Sequence, residues 1–366
     1  MFCMEKVLVA MSGGVDSSVA AALLAKDYDV IGVTLKLFSN EDIKLDRRKT
    51  CCSLDDIQDA RSVAAKLGID YFVYNFGDRF RECVIDRFNA AYMRGETPNP
   101  CIDCNRFIKF DALLKRAQVL ERDYVATGHY ARREQDAQTG KFLLKKGLDS
   151  SKDQSYVLYS LTQEQLSHTL FPLGGFTKHE IRKIADELGF VNADKPDSQD
   201  ICFVPDGDYA GFIEADTGMT FPKGAFCLKD GTVLGEHQGM IRYTVGQRKG
   251  LGISYKEPLY VVEKDVPHNT VVLGKNEDLF FSAFEADEVN WVSGETPTKP
   301  LRALVKTRYK QTEQPATIYP RENGVYVELD EPQRAVTAGQ AAVFYDGDVV
   351  LGGGTIRRVK HGKEEK

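Results

Sequence analysis

The chain has 366 residues, 42% of them hydrophobic and 28% charged, and a formal net charge of −6. That length corresponds to about two to three domains. Eight cysteines in so long a chain argue against a disulfide scaffold and favour metal or redox chemistry. The chain has neither a signal peptide nor an apolar run near the roughly 20 residues that span a bilayer. We expect a cytoplasmic protein without a membrane partner.

The first half of the chain predicts alternating strands and helices. Apolar runs predict strands at 7–11, 30–37, 71–75 and 124–126. Helical spacing of apolar residues predicts helices at 17–26, 54–67, 79–93 and 107–117. This order predicts a Rossmann-like parallel sheet covered on both faces, with ligands at the carboxyl ends of its strands.

The second half of the chain has a different composition, rich in glycine and proline, with short segments in which apolar and polar residues alternate. Strands are predicted at 259–264, 270–274, 301–306, 314–319, 324–329, 341–345 and 349–356. The chain is therefore predicted to be an α/β protein with three domains. These are a parallel-sheet domain at 1–205, a small mixed central domain at 206–283 and a C-terminal β-barrel at 284–366.

The segment Ser12–Ser18 reads Ser-Gly-Gly-Val-Asp-Ser-Ser and lies between the first predicted strand and helix. Adjacent glycines let successive N–H groups turn toward one anion, and the helix N-terminus adds positive charge. No Gly-Lys-Ser/Thr follows, so it is not a Walker A loop, and the glycine spacing excludes a dinucleotide fingerprint. A turn without a ligand is the simpler alternative. The loop resembles the PP-loop of ATP pyrophosphatases, which implies ATP with Mg²⁺, the latter held by Asp16.

A second motif is the sequence Asn99-Pro100-Cys101-Ile102-Asp103-Cys104, preceded by Pro98. The prolines stiffen the approach to the CxxC pair. CxxC occurs in zinc sites, redox pairs and iron–sulfur clusters, and all three stay open from spacing alone. Cys202 is the best further partner, because polar residues precede it, whereas a structural thiol more often lies in an apolar context.

Several motifs occur together in one order along the chain. They are Ser12–Ser18, Asn99–Asn105, Ile108-Lys109-Phe110, Ala126–Tyr130, Lys152–Tyr156, Ser198–Phe203 and Tyr243–Gly250. This set, spanning residues 7 to 359, resembles the tRNA-specific 2-thiouridylase family of PP-loop enzymes. The resemblance implies that ATP adenylates the C2 oxygen of the wobble uridine in tRNA. Sulfur then replaces that oxygen, which releases AMP and pyrophosphate.

The resemblance also implies roles for individual residues. Cys104 aligns with the nucleophile and Cys202 with the persulfide carrier, and the two would end as a disulfide. The implied ATP site comprises Ala10, Met11, Ser12, Gly13, Gly14, Val15, Asp16, Ser17, Leu35 and Gly128. The target base would meet Asn99, Pro100 and Cys101. The implied tRNA contacts are His129, Lys152, Asp153, Gln154, Arg308, Tyr309 and Gln340.

One departure from the family changes the expected chemistry. Many members carry Asp where this chain has Cys101, so the role of that carboxylate does not transfer. Cys101, Cys104 and Cys202 would instead suit a 4Fe-4S cluster with one iron open to hydrosulfide. The sequence leaves both the cluster and the persulfide relay open, with a slight preference for the cluster.

Two other functions remain as alternatives. A different PP-loop enzyme, such as a tRNA lysidine synthetase or a nucleotide-amidating enzyme, would need no thiol. An RNA-binding protein with structural nucleotide and metal sites would bind tRNA without releasing AMP. The family resemblance favours the anticodon stem-loops of tRNAs for Lys, Glu and Gln as substrates. The sulfur donor stays open among a desulfurase, a relay protein and sulfide, and a monomer is expected.

Overall fold

The computed structural model of the chain describes residues 4–38, 54–197 and 201–362. Within those ranges, no helix is long and apolar enough to cross a membrane. The helices are α1 (Val15–Leu24), α2 (Leu54–Leu67), α3 (Gly77–Phe80), α4 (Asp86–Met93), α5 (Pro100–Asp103), α6 (Leu113–Val119), α7 (Gln163–Ser167), α8 (Lys178–Glu187) and α9 (Tyr209–Thr217). The strands are β1 (Lys6–Ala10), β2 (Asp29–Lys36), β3 (Asp70–Asn75), β4 (Tyr124–Ala126), β5 (Ala131–Gln135), β6 (Phe142–Lys146), β7 (Thr169–Leu170), β8 (Gly224–Leu228), β9 (Val233–His237), β10 (Tyr260–Asp265), β11 (Thr270–Gly274), β12 (Phe280–Trp291), β13 (Leu301–Lys306), β14 (Gln314–Arg321), β15 (Gly324–Arg334), β16 (Ala341–Asp346) and β17 (Val349–Lys360).

The N-terminal sheet is parallel throughout and has the strand order β3-β2-β1-β4-β7. Side chains of β1 alternate between its two faces. Val7 and Val9 pack with α1, α2 and α8, whereas Leu8 packs with α6. Burial on both faces explains why β1 is continuously apolar. The predicted parallel sheet with helices on both sides is confirmed.

Two predicted helices contain π-helical turns. Residues Arg81–Ile85 interrupt the predicted helix 79–93, and residues Cys104–Ala112 form a π-helix that continues into α6. Each π turn holds an extra residue and so changes the direction of the side chains around it. The second begins at Cys104, in the CxxC motif, and hydrophobic spacing alone gave no sign of it.

The remaining strands form a mixed central sheet and a closed barrel. The central sheet has the order β10-β11-β8-β9. The barrel runs β12-β15-β14-β13-β16-β17 and closes because β12 also pairs with β17. The predicted fold class is therefore confirmed. No strand was predicted over Phe280–Trp291, which forms β12. Its pairing carries several register shifts, and such bulges interrupt the alternation by which strands are recognised.

A hairpin from the N-terminal half extends the barrel sheet. Strands β5 and β6 pair antiparallel, and β6 meets β17 at the pair Lys145 and Val349. Tyr156 adds a second tie, because its hydroxyl donates to the carbonyl oxygen of Ala341 at 2.8 Å. These contacts attach the barrel directly to the domain that carries the glycine loop.

An aromatic cluster surrounds Phe203, directly after Cys202. The Phe203 ring centroid lies 5.8 Å from that of Phe80 and 5.2 Å from those of Phe88 and Phe212. The contacts to Phe80 and Phe88 are edge-to-face, an arrangement favoured by the ring quadrupoles. Since Phe212 belongs to α9, the cluster joins the parallel-sheet domain to the central segment.

We predict that Phe203→Ala destabilises the protein by about 3–5 kcal/mol, since it empties the centre of this cluster. Urea unfolding followed by circular dichroism would measure the loss. Phe280→Ala is the control, because 37% of Phe280 is already exposed, and it should cost less than about 1 kcal/mol. Equal losses in the two variants would contradict the assigned role of the cluster.

Candidate active site

The glycine loop connects β1 to α1 as predicted. Gly13 has a left-handed φ of +76°, and a Cβ there would collide with the backbone of Asp56. Gly14 is the N-cap of α1, and no side chain caps the helix. The hydroxyls of Ser17 and Ser18 instead donate to the Gly14 carbonyl oxygen at 3.0 Å each. The first-turn N–H groups of α1 therefore receive no side-chain cap, which suits an anion.

Two residues far along the chain brace this loop from behind. The amide of Asn192 donates to the Gly13 carbonyl oxygen at 2.9 Å, and the Lys195 ammonium donates to it at 3.2 Å. Lys195 also lies 2.6 Å from carboxylate oxygens of Asp56 and Asp59 on α2. The loop conformation thus depends on contacts with α2 and with the segment before Cys202.

A charged cluster surrounds Asp16 at the start of α1. Lys178 Nζ lies 2.8 Å from both Asp16 carboxylate oxygens, and the Tyr130 hydroxyl donates to one of them at 2.7 Å. Lys178 also pairs with Asp197 at 2.7 Å. Burial opposes ionisation of Asp197, but hydrogen bonds from Lys152 and Lys178 outweigh it and lower its pKa to about 2. Asp197 is therefore ionised at neutral pH and balances the lysines.

The other residues expected at the nucleotide lie at neighbouring strand ends. Thr34, next to Leu35 on β2, donates its hydroxyl to the Met11 carbonyl oxygen at 2.5 Å. Gly128 follows β4, and a Cβ there would lie 2.8 Å from the backbone nitrogen of Ser17. This close approach requires glycine. The carboxyl ends of β1, β2 and β4 thus meet at the loop, as expected for a parallel sheet.

The CxxC segment begins with a capped helical turn. Asn99 is the N-cap of α5, and its side chain accepts a hydrogen bond from the Cys101 N–H at 3.1 Å. Cys101 is exposed, whereas Cys104 is only 9% exposed. The two cysteines, three residues apart, therefore have different environments, with Cys101 open to a substrate and Cys104 in the core.

Cys202 joins the same hydrophobic cluster as Cys104. Cys202 is partly buried and packs against the cluster of buried residues that contains Cys104, Phe80 and Phe203. Distant parts of the sequence are thereby brought to one region of the core. Among the residues that the structure describes, no group of three or more His, Cys, Asp or Glu side chains could hold a metal ion. The 4Fe-4S cluster predicted from Cys101, Cys104 and Cys202 stays a prediction.

The predicted tRNA contacts at 152–154 all make bonds within the protein. Lys152 pairs with Asp197 at 2.8 Å. The buried Asp153 carboxylate accepts from the N–H groups of Gly147 and Ser155. The side-chain oxygen of Gln154 accepts from the Tyr130 N–H at 3.0 Å.

The predicted contacts on the barrel differ in accessibility. The Arg308 guanidinium donates to Val245 O, Ala335 O and Thr337 Oγ1, and its burial lowers its pKa. Tyr309 is 37% exposed, and its hydroxyl donates to the Asp153 carbonyl oxygen at 3.0 Å. Burial raises the Tyr309 pKa to about 12, with smaller contributions from Asp153 and Cys101. Of these two residues, Tyr309 is therefore the more exposed.

Two further residues predicted to contact tRNA bond or pack within the protein. Gln340 donates its side-chain amide to the Thr97 carbonyl oxygen at 2.6 Å. His129 is 7% exposed and packs against the rings of Phe110 and Phe171. Burial, with a smaller contribution from Lys109, holds the His129 pKa well below its usual range, so the ring is neutral.

Sequence reasoning missed the side chains that support the loop. Tyr130, Lys178, Asn192 and Lys195 make these contacts, and none belongs to a phosphate-binding motif. The capping box Thr177 to Glu180 signals the start of α8, and Lys178 is its first residue. Nothing in the sequence near Asn192 indicates a contact with Gly13, because that contact depends on the tertiary fold.

Three family models match the chain: a tRNA methyl transferase HUP domain at residues 5–206, a tRNA methyl transferase PRC-barrel domain at 212–275 and an aminomethyltransferase β-barrel domain at 281–356. The chain is 50% identical to the tRNA-specific 2-thiouridylase MnmA of Clostridioides difficile, over 98% of this chain and 99% of that protein. It is 52% identical to MnmA 1 of a Thermoanaerobacter species over 97% and 98% of the two chains. It is also 52% identical to MnmA of Symbiobacterium thermophilum, over 97% and 92%. With relatives matched along nearly their full length, the chain belongs to the tRNA-specific 2-thiouridylase family.

Proposed function

We propose that this protein is an ATP-dependent sulfurtransferase that converts the wobble uridine of tRNA to 2-thiouridine. The observation that carries this function is the full-length relation to 2-thiouridylases in a chain whose glycine loop and cysteines share one domain. A C2 carbonyl oxygen leaves poorly, whereas an adenylate leaves readily as AMP. Activation by ATP therefore accounts for the glycine loop, and the attack by sulfur that follows accounts for the cysteines.

The glycine loop is the proposed ATP site. The uncapped N-terminus of α1 and the left-handed Gly13 offer backbone N–H groups to phosphate oxygens. Leu35 and Gly128 lie on neighbouring strand ends and flank the adenine. Mg²⁺ neutralises phosphate charge when it is bound, and Asp16 is the loop carboxylate that fits it. Lys178 and Tyr130 hold that carboxylate in place.

Sulfur transfer is assigned to Cys202 and Cys104. A Cys202 persulfide attacks the adenylated C2 carbon with its outer sulfur, so that a C–S bond forms and AMP leaves. The Cys104 thiolate then attacks the inner sulfur of Cys202. The S–S bond to the product breaks, 2-thiouridine leaves with the electron pair, and a Cys104–Cys202 disulfide remains. A thiol reductant reopens this disulfide, and a desulfurase or relay protein that carries a persulfide then transfers its outer sulfur to the Cys202 thiolate. If sulfide is the donor, it attacks the disulfide at Cys202 instead, which forms the Cys202 persulfide and releases the Cys104 thiolate.

The substrate approaches from the side of Cys101. This exposed residue and Asn99 receive the target base, and Tyr309 offers a ring for stacking. Lys152, Asp153, Gln154, Arg308 and His129 form or support the protein surface that would receive the rest of the tRNA. The anticodon stem-loops of tRNAs for Lys, Glu and Gln are the proposed substrates, and the proposed form of the protein is a monomer.

We predict that ATP affinity depends on the absence of a side chain at Gly13. In Gly13→Ala, a Cβ meets the Asp56 backbone, and a left-handed alanine costs about 1–2 kcal/mol. Calorimetric titration with Mg-ATP should show an affinity at least about tenfold weaker.

Gly140→Ala is the matched control, because φ is +70° there and no atom lies within 4 Å of the added Cβ. This variant should bind ATP like the parent protein. If both variants bind ATP normally, the loop is not the nucleotide site.

We predict that replacing Cys202 and replacing Cys104 stop the thiolation reaction at different steps. With ATP, tRNA and a sulfur donor, the protein should release AMP and form 2-thiouridine, measured by nucleoside mass spectrometry. Cys202→Ser should form none, because it cannot carry the persulfide. Cys104→Ser should trap tRNA on Cys202 through a disulfide that dithiothreitol cleaves.

Cys227→Ser, in β8 of the central sheet, serves as the control and should retain activity. ATP turnover with ammonia or lysine in place of a sulfur donor would instead identify an amide-forming PP-loop enzyme. Binding of tRNA with no AMP release would identify an RNA-binding protein.

We further predict that the protein purified without oxygen contains substoichiometric iron and lacks visible absorbance. Among the described residues, no three His, Cys, Asp or Glu side chains are grouped so that they could hold a metal ion, which supports the proposed persulfide relay. A brown protein with about four irons, which loses both iron and thiolation in Cys101→Ala, would contradict the relay and establish cluster chemistry.

A further inference from the structure

The short segment before the target-base residues is held by the barrel. Thr97 donates its N–H to the Ala338 carbonyl oxygen at 2.9 Å. The Thr97 carbonyl oxygen accepts from the side-chain amide of Gln340 at 2.6 Å. Both backbone polar groups of Thr97 are therefore bound by a single turn of the barrel, residues 338–340, which we call the barrel turn.

Gly339 makes this contact possible. It has a φ of +88°, and a Cβ there would lie 2.8 Å from the Thr97 nitrogen and 2.8 Å from Glu96 Cβ. The two backbones touch with no room for a side chain. The Gly339 N–H and the Gln340 carbonyl oxygen both bond to Ile356 on β17, so the barrel turn is itself fixed to the barrel wall.

Neighbouring contacts hold the same segment on other sides. Arg357 on β17 lies 3.1 Å from one Glu96 carboxylate oxygen and 3.2 Å from the other. A Cβ on Gly95 would lie 2.7 Å from Val266, which follows β10 of the central sheet. The segment Gly95–Thr97 is therefore packed between the central sheet and the barrel.

The placement of Thr97 constrains the target-base residues, because they follow it directly in the chain. Pro98 follows Thr97, and Pro100 follows Asn99, so two of the next three residues have φ fixed near −65°. Asn99 then caps α5 and accepts from the Cys101 N–H. With so few rotatable bonds, a shift at Thr97 moves the α5 N-terminus.

We infer that Gln340 and Gly339 are positioning residues, which set the Asn99–Cys101 segment through Thr97. This inference rests on the proposed function, because the segment it positions is the one assigned to the target base. The family resemblance placed Gln340 at the tRNA, whereas the hydrogen bond to Thr97 gives its amide a partner inside the protein. The barrel thereby takes part in the reaction without contacting the reacting atoms.

The kinetic test compares Gln340→Met with the parent protein. Methionine keeps the side-chain length but has no N–H to donate to Thr97. We expect kcat for thiolation to fall about 10- to 100-fold, because a small misplacement of reacting groups is costly. The Kd for tRNA, measured by filter binding, should stay within about twofold. If Kd rises by the factor that kcat falls, Gln340 binds tRNA directly and the inference is overturned.

A second pair of variants tests the contact without relying on activity. Gly339→Ala pushes on Thr97, whereas Gly347→Ala places alanine at a φ of +54° in the same barrel with no atom within 4 Å. Hydrogen exchange followed by mass spectrometry should show faster exchange in peptides covering residues 95–104 for Gly339→Ala only. Equal exchange in both variants would overturn the inference.

The two measurements separate failure of this inference from failure of the proposed function. If the parent protein forms neither AMP nor 2-thiouridine, the proposed function fails, and hydrogen exchange still tests the contact. If the parent is active and Gly339→Ala leaves exchange in residues 95–104 unchanged, only the positioning role fails.

Discussion

The packing of Phe203 against Phe80 and Phe88 fixes the part of the core in which Cys202 and Cys104, the two cysteines proposed for sulfur transfer, lie. Cys202 directly precedes this buried ring, and Cys104 belongs to the same cluster. Thiols are small and contribute little burial energy, so they do not determine their own position. The large apolar area of the aromatic rings does, since such side chains dominate the energetics of a core. The proposed sulfur transfer would therefore depend on an aromatic cluster whose rings take no part in the reaction.

A second constraint acts on the glycine loop through its peptide planes. Asn192 and Lys195 bind the Gly13 carbonyl oxygen. In a trans peptide, the N–H of the following residue points the opposite way. The Gly14 N–H is therefore directed away from these two side chains. Lys195 keeps this arrangement because Asp56 and Asp59 balance its charge, so the loop is preorganised for an anion by groups behind it.

The sequence was most informative where the determinants of structure are local. The glycine loop, the parallel sheet and strands such as Thr270–Gly274 and Leu301–Lys306 follow from residue spacing and turn chemistry. Prediction from the sequence failed where a structural feature depends on contacts between distant parts of the chain. The register shifts in β12 interrupt the alternation of apolar and polar residues by which a strand is recognised. The π-helix at Cys104 has no characteristic spacing of apolar residues that would distinguish it from an α-helix. The contact of Asn192 with Gly13 depends on two segments that only the fold brings together.

The predicted tRNA contacts also depend on tertiary structure that the sequence does not reveal. Arg308 and Tyr309 differ in how their polar groups are bonded. Arg308 donates to three acceptors in a buried setting, and leaving such groups unsatisfied costs about 1–3 kcal/mol each. All three bonds come from Nη2, and they tie Arg308 to the backbone of Val245 and Ala335 and to the Thr337 hydroxyl. The Tyr309 hydroxyl donates to the Asp153 carbonyl oxygen, while part of the Tyr309 ring is exposed. Under the proposed function, Tyr309 is therefore the barrel residue whose ring is accessible for stacking on RNA, whereas Arg308 bonds within the protein.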